Sequence, residues 1–577
     1  MSHGRLGRYM RFNRSIRSGV VFSAALLLAM LVLAPPAFAA ATCTSNGGGT
    51  AVTLDLSATG DSATIFVAAA AAIHASGTGL ADTQCGTATT ATATSIIVTS
   101  SSGGGHTLTI NQNGAGGAFL PANDFTIDLG SGSGDGLVIT GNSGVDTVTF
   151  GATNVSMDGG SGAATLTISS NSVETFTVNA GSGNDVISGA GGGSTGTVFT
   201  HALTLNGEAN ADTLTGGSVN DTLNPGTGTD NDTVNCGTGT DTVTYAGVSS
   251  AVTVNLATTT AQNTTGAGTD TITNCENLTG GSGGDTLTGS TVANTISGGA
   301  GDDTISGSDG DDTLNGDDGN DSLAGGNGND TLAGGVGTDT ANYSAATVAV
   351  TVNLSLATAQ VTGVGTDTIN TTENATGGTA GDTLTGSTGN NTLNGGTGDD
   401  TLTGGDGDDT LNGDDGNDKL DGGNGNDAFN GGNGTDVANF SASAAAVTVN
   451  LSTSTATGQG TDTLATVENV VGTSLADSIT GGSGINSLGG GSGDDIIAGL
   501  DGADSIRGGD GNDTTKGGAG DDAVRGGAGN DSIRGGTGND ILRGGAGNDT
   551  IAGGPGTDTC RGGPGADTIH GCENGKA

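Results

Sequence analysis

The chain has 577 residues, of which 117 are glycine, 2% are aromatic and none is tryptophan. So few large side chains cannot fill several wide cores, and a thin, regular solenoid is the expected architecture. A formal charge of −47, from 60 acidic and 13 basic residues, argues against a phosphate backbone or anionic lipid as partner and favours divalent cations.

Residues 1–39 read as a secretory signal peptide. Arg5, Arg8, Arg11, Arg14 and Arg17 precede an apolar run from Val20 to Ala34, and Ala37-Phe38-Ala39 stands before Ala40 as a small-residue cleavage site. The apolar run is short for a membrane span and no second one follows, so the expected mature chain is secreted and has no membrane span. Its removal leaves 60 acidic residues facing 8 basic ones.

Residues 40–206 read as an irregular β-rich region, expected to be a solenoid, with a small sandwich as the alternative. Short alternating strands recur at TLTIN from Thr107, FTIDL from Phe125, DTVTF from Asp146 and TLTIS from Thr165, punctuated by Gly and Asn. A GSGND segment from Gly181 to Asp185 foreshadows the glycine-aspartate repeats nearer the C-terminus. Residues 207–279 hold degenerate repeats and a first interlude.

From Gly280 a nonapeptide of the form G-G-x-G-x-D-x-U-x, with U a large apolar residue, repeats in three gap-free arrays. They run from Gly280 to Asn342, Gly377 to Asn439 and Gly472 to His570, and hold 7, 7 and 11 units. Position six is Asp in 22 of the 25 units and position eight is Leu, Ile, Val or Phe in 21, which fixes the register. The boundaries are 280–376 and 377–471 for the first two arrays with their interludes, and 472–577 for the third with a disulfide-closed C-terminus.

Glycine allows the first half of each unit to turn tightly, and the last three residues are predicted to form a strand. Alternation along that strand points position eight inward and positions seven and nine outward. Two units make one coil of eighteen residues, so aspartates eighteen apart stack on one edge about 4.8 Å apart. Such carboxylates repel, and each coil buries only two large apolar side chains. A cation taking six to eight oxygens is therefore expected to couple to folding.

These residues resemble the RTX, or repeats-in-toxin, family of haemolysin-type calcium-binding repeats, over roughly Gly207 to His570. The resemblance implies an all-β, right-handed parallel β-roll whose aspartate carboxylates and turn carbonyls hold calcium between successive turns. Carried over residue by residue, it makes calcium ligands of Asp303, Asp312, Asp321, Asp330 and Asp339 in the first array. In the second they are Asp400, Asp409, Asp418, Asp427 and Asp436, and in the third Asp495, Asp504, Asp513, Asp522, Asp531, Asp540, Asp549, Asp558 and Asp567. Two features depart from the family: an N-terminal export signal in place of a C-terminal one, and Asn at position six of the second unit of every array. Asn294, Asn391 and Asn486 are expected to ligate more weakly.

The arrays belong to larger duplicated modules. Tyr245, Tyr343 and Phe440 each open an interlude containing a V-T-V-N-L strand, a G-T-D-T turn and a Glu-Asn pair at Glu276, Glu373 and Glu468. The interludes are expected to continue the roll, with the aromatic filling space beside Ala341 or Ala438 and the glutamates structural; separate ligand-binding loops are the alternative. Six cysteines form three local couples, Cys43 with Cys85, Cys236 with Cys275 and Cys560 with Cys572, among fifteen possible connectivities.

No catalytic arrangement stands out. There is no H-E-x-x-H motif, and the G-x-S-x-G match at Gly280–Gly284 lies inside glycine repeats without an elbow. Outward Thr pairs such as Thr401 and Thr403 could order water, but that column mixes Asn, Ser and Arg. In the last array Arg507, Arg525, Arg543 and Arg561 recur every eighteen residues, with Lys516, Arg534 and His570 on the opposite sheet. The arginines could grip an anionic cell-surface glycan or another protomer's acidic edge. The sequence thus points to a secreted, non-enzymatic, calcium-binding protein of structural or adhesive role, without nucleic acid as partner. The alternative is a secreted enzyme using the repeats as a calcium-dependent scaffold.

Overall fold

The structure is a computed structural model; it describes residues 175–191 and 198–576, together with strand backbones upstream of them. The expected signal peptide, residues 1–39, lies outside the described residues.

Strand Thr304–Asp309 lies parallel to Ser322–Asn327 with Ile305 beside Leu323. The intervening unit, Thr313–Asp318, lies instead beside Thr295–Ala300, with Leu314 next to Ile296. Consecutive units therefore alternate between two sheets, and one coil takes eighteen residues. From 204 to 570 about 20 such turns stack into an all-β parallel solenoid with no helix. Position eight builds the core: Leu287, Ile296, Ile305, Leu314, Leu323 and Leu332 are all fully buried, each contributing about 1.5–3 kcal/mol.

Interior units carry six-residue strands where three were predicted. Positions two and three extend the ladder, as Ser308 pairs with Gly326 and Asp309 with Asn327. Position two is held at positive φ, and a Cβ at Gly527 (φ 140°) would collide with the Gly509 carbonyl oxygen one coil earlier. Glycine is therefore favoured there by the stacking distance as well as by the turn, and where Ser308, Asp317, Asp414 and Leu500 stand instead φ narrows to 70–85°.

The interludes continue the roll as expected, but each adds an antiparallel hairpin. Gln262–Thr265 folds against Gly268–Thr273, which stacks in parallel on Thr233–Asn235. Gln360–Val361 and Thr366–Asn370 repeat this on Thr331–Val336. In the third, Thr455–Thr457 pairs with both Thr461–Ala465 and Thr448–Asn450. The opening aromatics Tyr245, Tyr343 and Phe440 are all buried.

Disulfides join Cys236 to Cys275 and Cys560 to Cys572, with Cα atoms 5.1 and 6.0 Å apart. The Cys43–Cys85 couple lies outside the residues whose side chains are described. Upstream, the predicted strand at Thr107–Asn111 pairs in parallel with Gly136–Thr140, then through Thr175–Asn179 with Leu203–Asn206. This stretch of the N-terminal region stacks in line with the roll.

Candidate metal centres along the roll edges

The position-six aspartates sit where each turn enters its strand, and they are buried. Asp303, Asp312, Asp321 and Asp330 are 1–2% exposed. Their stacking, expected to be purely repulsive, is bridged by the main chain. The N–H of Asp303 donates to Oδ1 of Asp321 at 2.7 Å, and the N–H of Asp321 to Oδ1 of Asp339 at 2.8 Å. The same donation links Asp495 to Asp513, Asp531, Asp549 and Asp567 in turn. Each edge of the roll thus carries a column of carboxylates, one oxygen per residue fixed by the neighbouring coil.

The second oxygen is the notable one. Of the 19 aspartates assigned from sequence, 18 hold a buried Oδ2 with no hydrogen-bond partner, Asp427 being the exception. Leaving such an atom unsatisfied costs several kcal/mol unless something compensates it. A Cβ at Gly517 would meet both Oδ2 of Asp522 and the carbonyl oxygen of Gly535. A carboxylate oxygen and a carbonyl oxygen of the next coil therefore converge on the space that position-one glycine leaves. Among the described residues no three His, Cys, Asp or Glu side chains converge on one point. A cation here would rest on one or two carboxylates completed by backbone carbonyls, an all-oxygen set that suits calcium.

The columns have defined starts and ends, which the sequence did not reveal. The first aspartate of each array turns its spare oxygen inward: Oδ2 of Asp285, Asp382 and Asp477 accepts the N–H of Gly281, Gly378 and Thr473. The three asparagines, expected to be weak ligands, act likewise. Oδ1 of Asn294, Asn391 and Asn486 accepts the N–H of Ser290, Ser387 and Gly482, and Nδ2 donates to the carbonyls of Glu276, Glu373 and Glu468. These turns are closed by hydrogen bonds within the chain.

One set of columns ends on glutamate. Oε2 of Glu276, Glu373, Glu468 and Glu573 accepts the N–H of Asp241, Asp339, Asp436 and Asp558 at 2.7–2.9 Å. Two others end on Asp270 and Asp367, whose Oδ2 accepts the hydroxyl of Tyr245 or Tyr343, each at 2.9 Å. Thr264 and Thr362 add a second hydroxyl to the same oxygens. Upstream, Asp212 and Asp241 carry unpartnered buried Oδ2 atoms like those of the arrays. Sequence reasoning missed them because inserted residues stretch their spacing to 20, yet both precede the same Thr-apolar strand signal.

Burial pushes these carboxyls up from their ordinary value, neighbouring carboxylates add to it, and the donated N–H offsets part of it. Asp303, Asp400 and Asp495 rise to about 7, and Asp312, Asp330, Asp522 and Asp531 to about 6. Near neutral pH these edges hold protons or cations far more readily than free aspartate does.

A parallel β-roll edged by buried carboxylates and converging carbonyls is a repeat scaffold whose edges suit metal ions. The family model described as RTX calcium-binding nonapeptide repeat (4 copies) matches residues 177–195, 204–223, 279–341, 376–438, 471–533 and 534–569. The chain is a calcium-binding RTX β-roll repeat protein, with repeats spread across residues 177–569. No curated protein matches it.

The arginine row is a separate feature. Arg507, Arg525, Arg543 and Arg561 are register partners on consecutive strands of one sheet and are exposed. They line a groove of about 850 Å³ together with Gly509, Gly527, Gly545, Ala528, Ala546 and Pro564. The opposite sheet is interrupted: Lys516 and Arg534 are adjacent, but Ala552 separates Arg534 from His570. The G-x-S-x-G match is a repeat turn in which the Ser282 N–H donates to the Val248 carbonyl.

Proposed function

We propose that the protein is a secreted, non-catalytic scaffold with a structural or adhesive role, in which calcium drives folding of the roll. The observation that carries this reading is the buried, unpartnered Oδ2 recurring along both edges. Without a cation these columns oppose folding, and the calcium of an extracellular medium removes that opposition. RTX-repeat proteins are typically secreted, which agrees with the basic, apolar and small-residue order of residues 1–39.

The adhesive part rests on the arginine groove. Guanidinium groups about one strand spacing apart suit a linear anionic glycan lying along the roll axis. Calcium would position this row by ordering the strands beneath it. Circular dichroism of the chain with calcium and with excess chelator tests the scaffold; identical spectra would refute it. Retention on an immobilised anionic glycan, lost in Arg525→Ala/Arg543→Ala while calcium-dependent folding is kept, tests the groove. Unchanged retention would remove the groove from the account.

A further inference from the structure

Position nine of each nonapeptide faces outward on its strand, and 24 of the 25 units carry a side chain there; the exception is Gly489. The backbone does not ask for glycine at this point. Gly489 lies inside strand Ser487–Ser492, outside the left-handed region, and an added Cβ would meet only the Val470 carbonyl oxygen, at 3.9 Å. Two residues on, Gly491 differs on both counts: its φ is 115°, and a Cβ there would collide with the Thr473 carbonyl oxygen. Glycine weakens a strand, and where no turn or bulge needs it, it marks a site that something approaches closely.

The missing side chain opens a pit on the outer face of the sheet. Gly489 pairs with Val471 on one side and with Arg507 on the other, and the residues lining a depression of about 330 Å³ include these three with Val470, Ser487 and Ser505. Val471 is 39% exposed, and Ser487 and Ser505 are exposed as well. Arg507 lines both this pit and the arginine groove, so the two adjoin. Among the described residues none of the four arginines has an ion-pair partner, although the chain has 60 acidic residues. The pit is at the small end of ligand sites: it suits one substituent, not the width of a polymer.

We infer that the glycan taken by the arginine row is an acylated acidic polysaccharide, with the methyl of one acyl group in the pit at Gly489. The methyl lies against Val471, and the acyl carbonyl accepts a hydroxyl of Ser487 or Ser505. A carboxylate of the same sugar pairs with Arg507, and those that follow run along Arg525, Arg543 and Arg561. Gly489 is then a specificity-determining residue: any side chain there fills the space that the acyl group needs. The inference rests on the reading of the row as a glycan groove and adds the substituent that it selects.

Calorimetric titration of the full chain in calcium with two oligosaccharides tests it: an oligomer of N-acetylneuraminic acid, and a galacturonate oligomer of equal length and charge that has no acyl group. The N-acetylated oligomer is expected to bind roughly tenfold more tightly, the discrimination that a small apolar group gains from its pocket. Gly489→Thr, which installs the residue that Thr480 supplies at the same position of the preceding unit, fills the pit and is expected to bring the two affinities level. Val471→Asn, with the glycine kept, should do the same by removing the apolar contact. Equal affinities in the unaltered chain, or a preference that survives both substitutions, would overturn the inference and leave the groove reading intact. Failure of both oligomers to bind would overturn both.

Discussion

The main-chain N–H of Asp513 donates to Oδ1 of Asp531 across 2.9 Å, and the other oxygen of Asp531 is buried without a partner. One carboxylate therefore does two things: it ties coil to coil through an oxygen the backbone satisfies, and it presents an oxygen that the chain leaves for a cation. Charge repulsion along the column is the opposing term.

That balance gives a pH dependence of definite sign. The folded-state values of Asp303, Asp400 and Asp495 lie at about 7, raised from 3.8. A raised carboxyl favours the fold below its unfolded value, and the contribution is lost as pH rises through its folded value. In chelator, the β signal and melting temperature are expected to be higher at pH 5 than at pH 8. With calcium present, protons compete for the same oxygens, so more calcium is needed for half-folding at pH 5 than at pH 8. A calcium-free form that is more stable at pH 8 would contradict the assignment.

Asp531→Asn separates the two oxygens. The amide carbonyl still accepts the Asp513 N–H, but the charge is gone. Less calcium dependence is expected: a weaker calcium response of the third array, and a calcium-free fold gaining about 1 kcal/mol at pH 8. Asp531→Ala should instead cost about 1–3 kcal/mol, because it leaves the Asp513 N–H buried and unpaired. Urea titrations of the three proteins, with and without calcium, distinguish these outcomes.

Gly527 tests the stacking distance. With φ at 140° and the Gly509 carbonyl where a Cβ would sit, Gly527→Ala is expected to lose more than about 2 kcal/mol. Gly484 has open space around its Cα, so Gly484→Ala should leave the melting temperature within about one degree.

Thr515 breaks the apolar column between Ile497 and Ile533. It is 1% exposed, and its Oγ1 has no hydrogen-bond partner. Thr515→Val keeps the shape and removes the buried hydroxyl, so a gain of about 1 kcal/mol is expected. A loss of stability on thermal unfolding in calcium would show that the hydroxyl is used.

Much of the fold was legible in the sequence because the signal is periodic. Position eight repeats at nine residues and strand alternation sends it inward, so Ile305 and Leu323 could be placed in the core from their register alone. The stacking partner of Asp303 followed from the eighteen-residue coil. The role of Tyr343 did not. Its hydroxyl meets Asp367 across 24 residues, and no period predicts that contact, because it depends on a hairpin folding back over the coil. The asparagines misled for a related reason: the sequence shows a missing charge, whereas the structure shows an oxygen taken by the N–H of Ser290.

By itself the sequence determined the coil, its register, its buried apolar column and the acidic edges, since each follows from a repeat short enough for local chemistry to enforce. Tertiary structure decided which carboxylates keep a free oxygen. That choice depends on neighbours one coil or one hairpin away: an N–H four residues back closes Asp285, two hydroxyls close Asp367, and neither reaches Asp531.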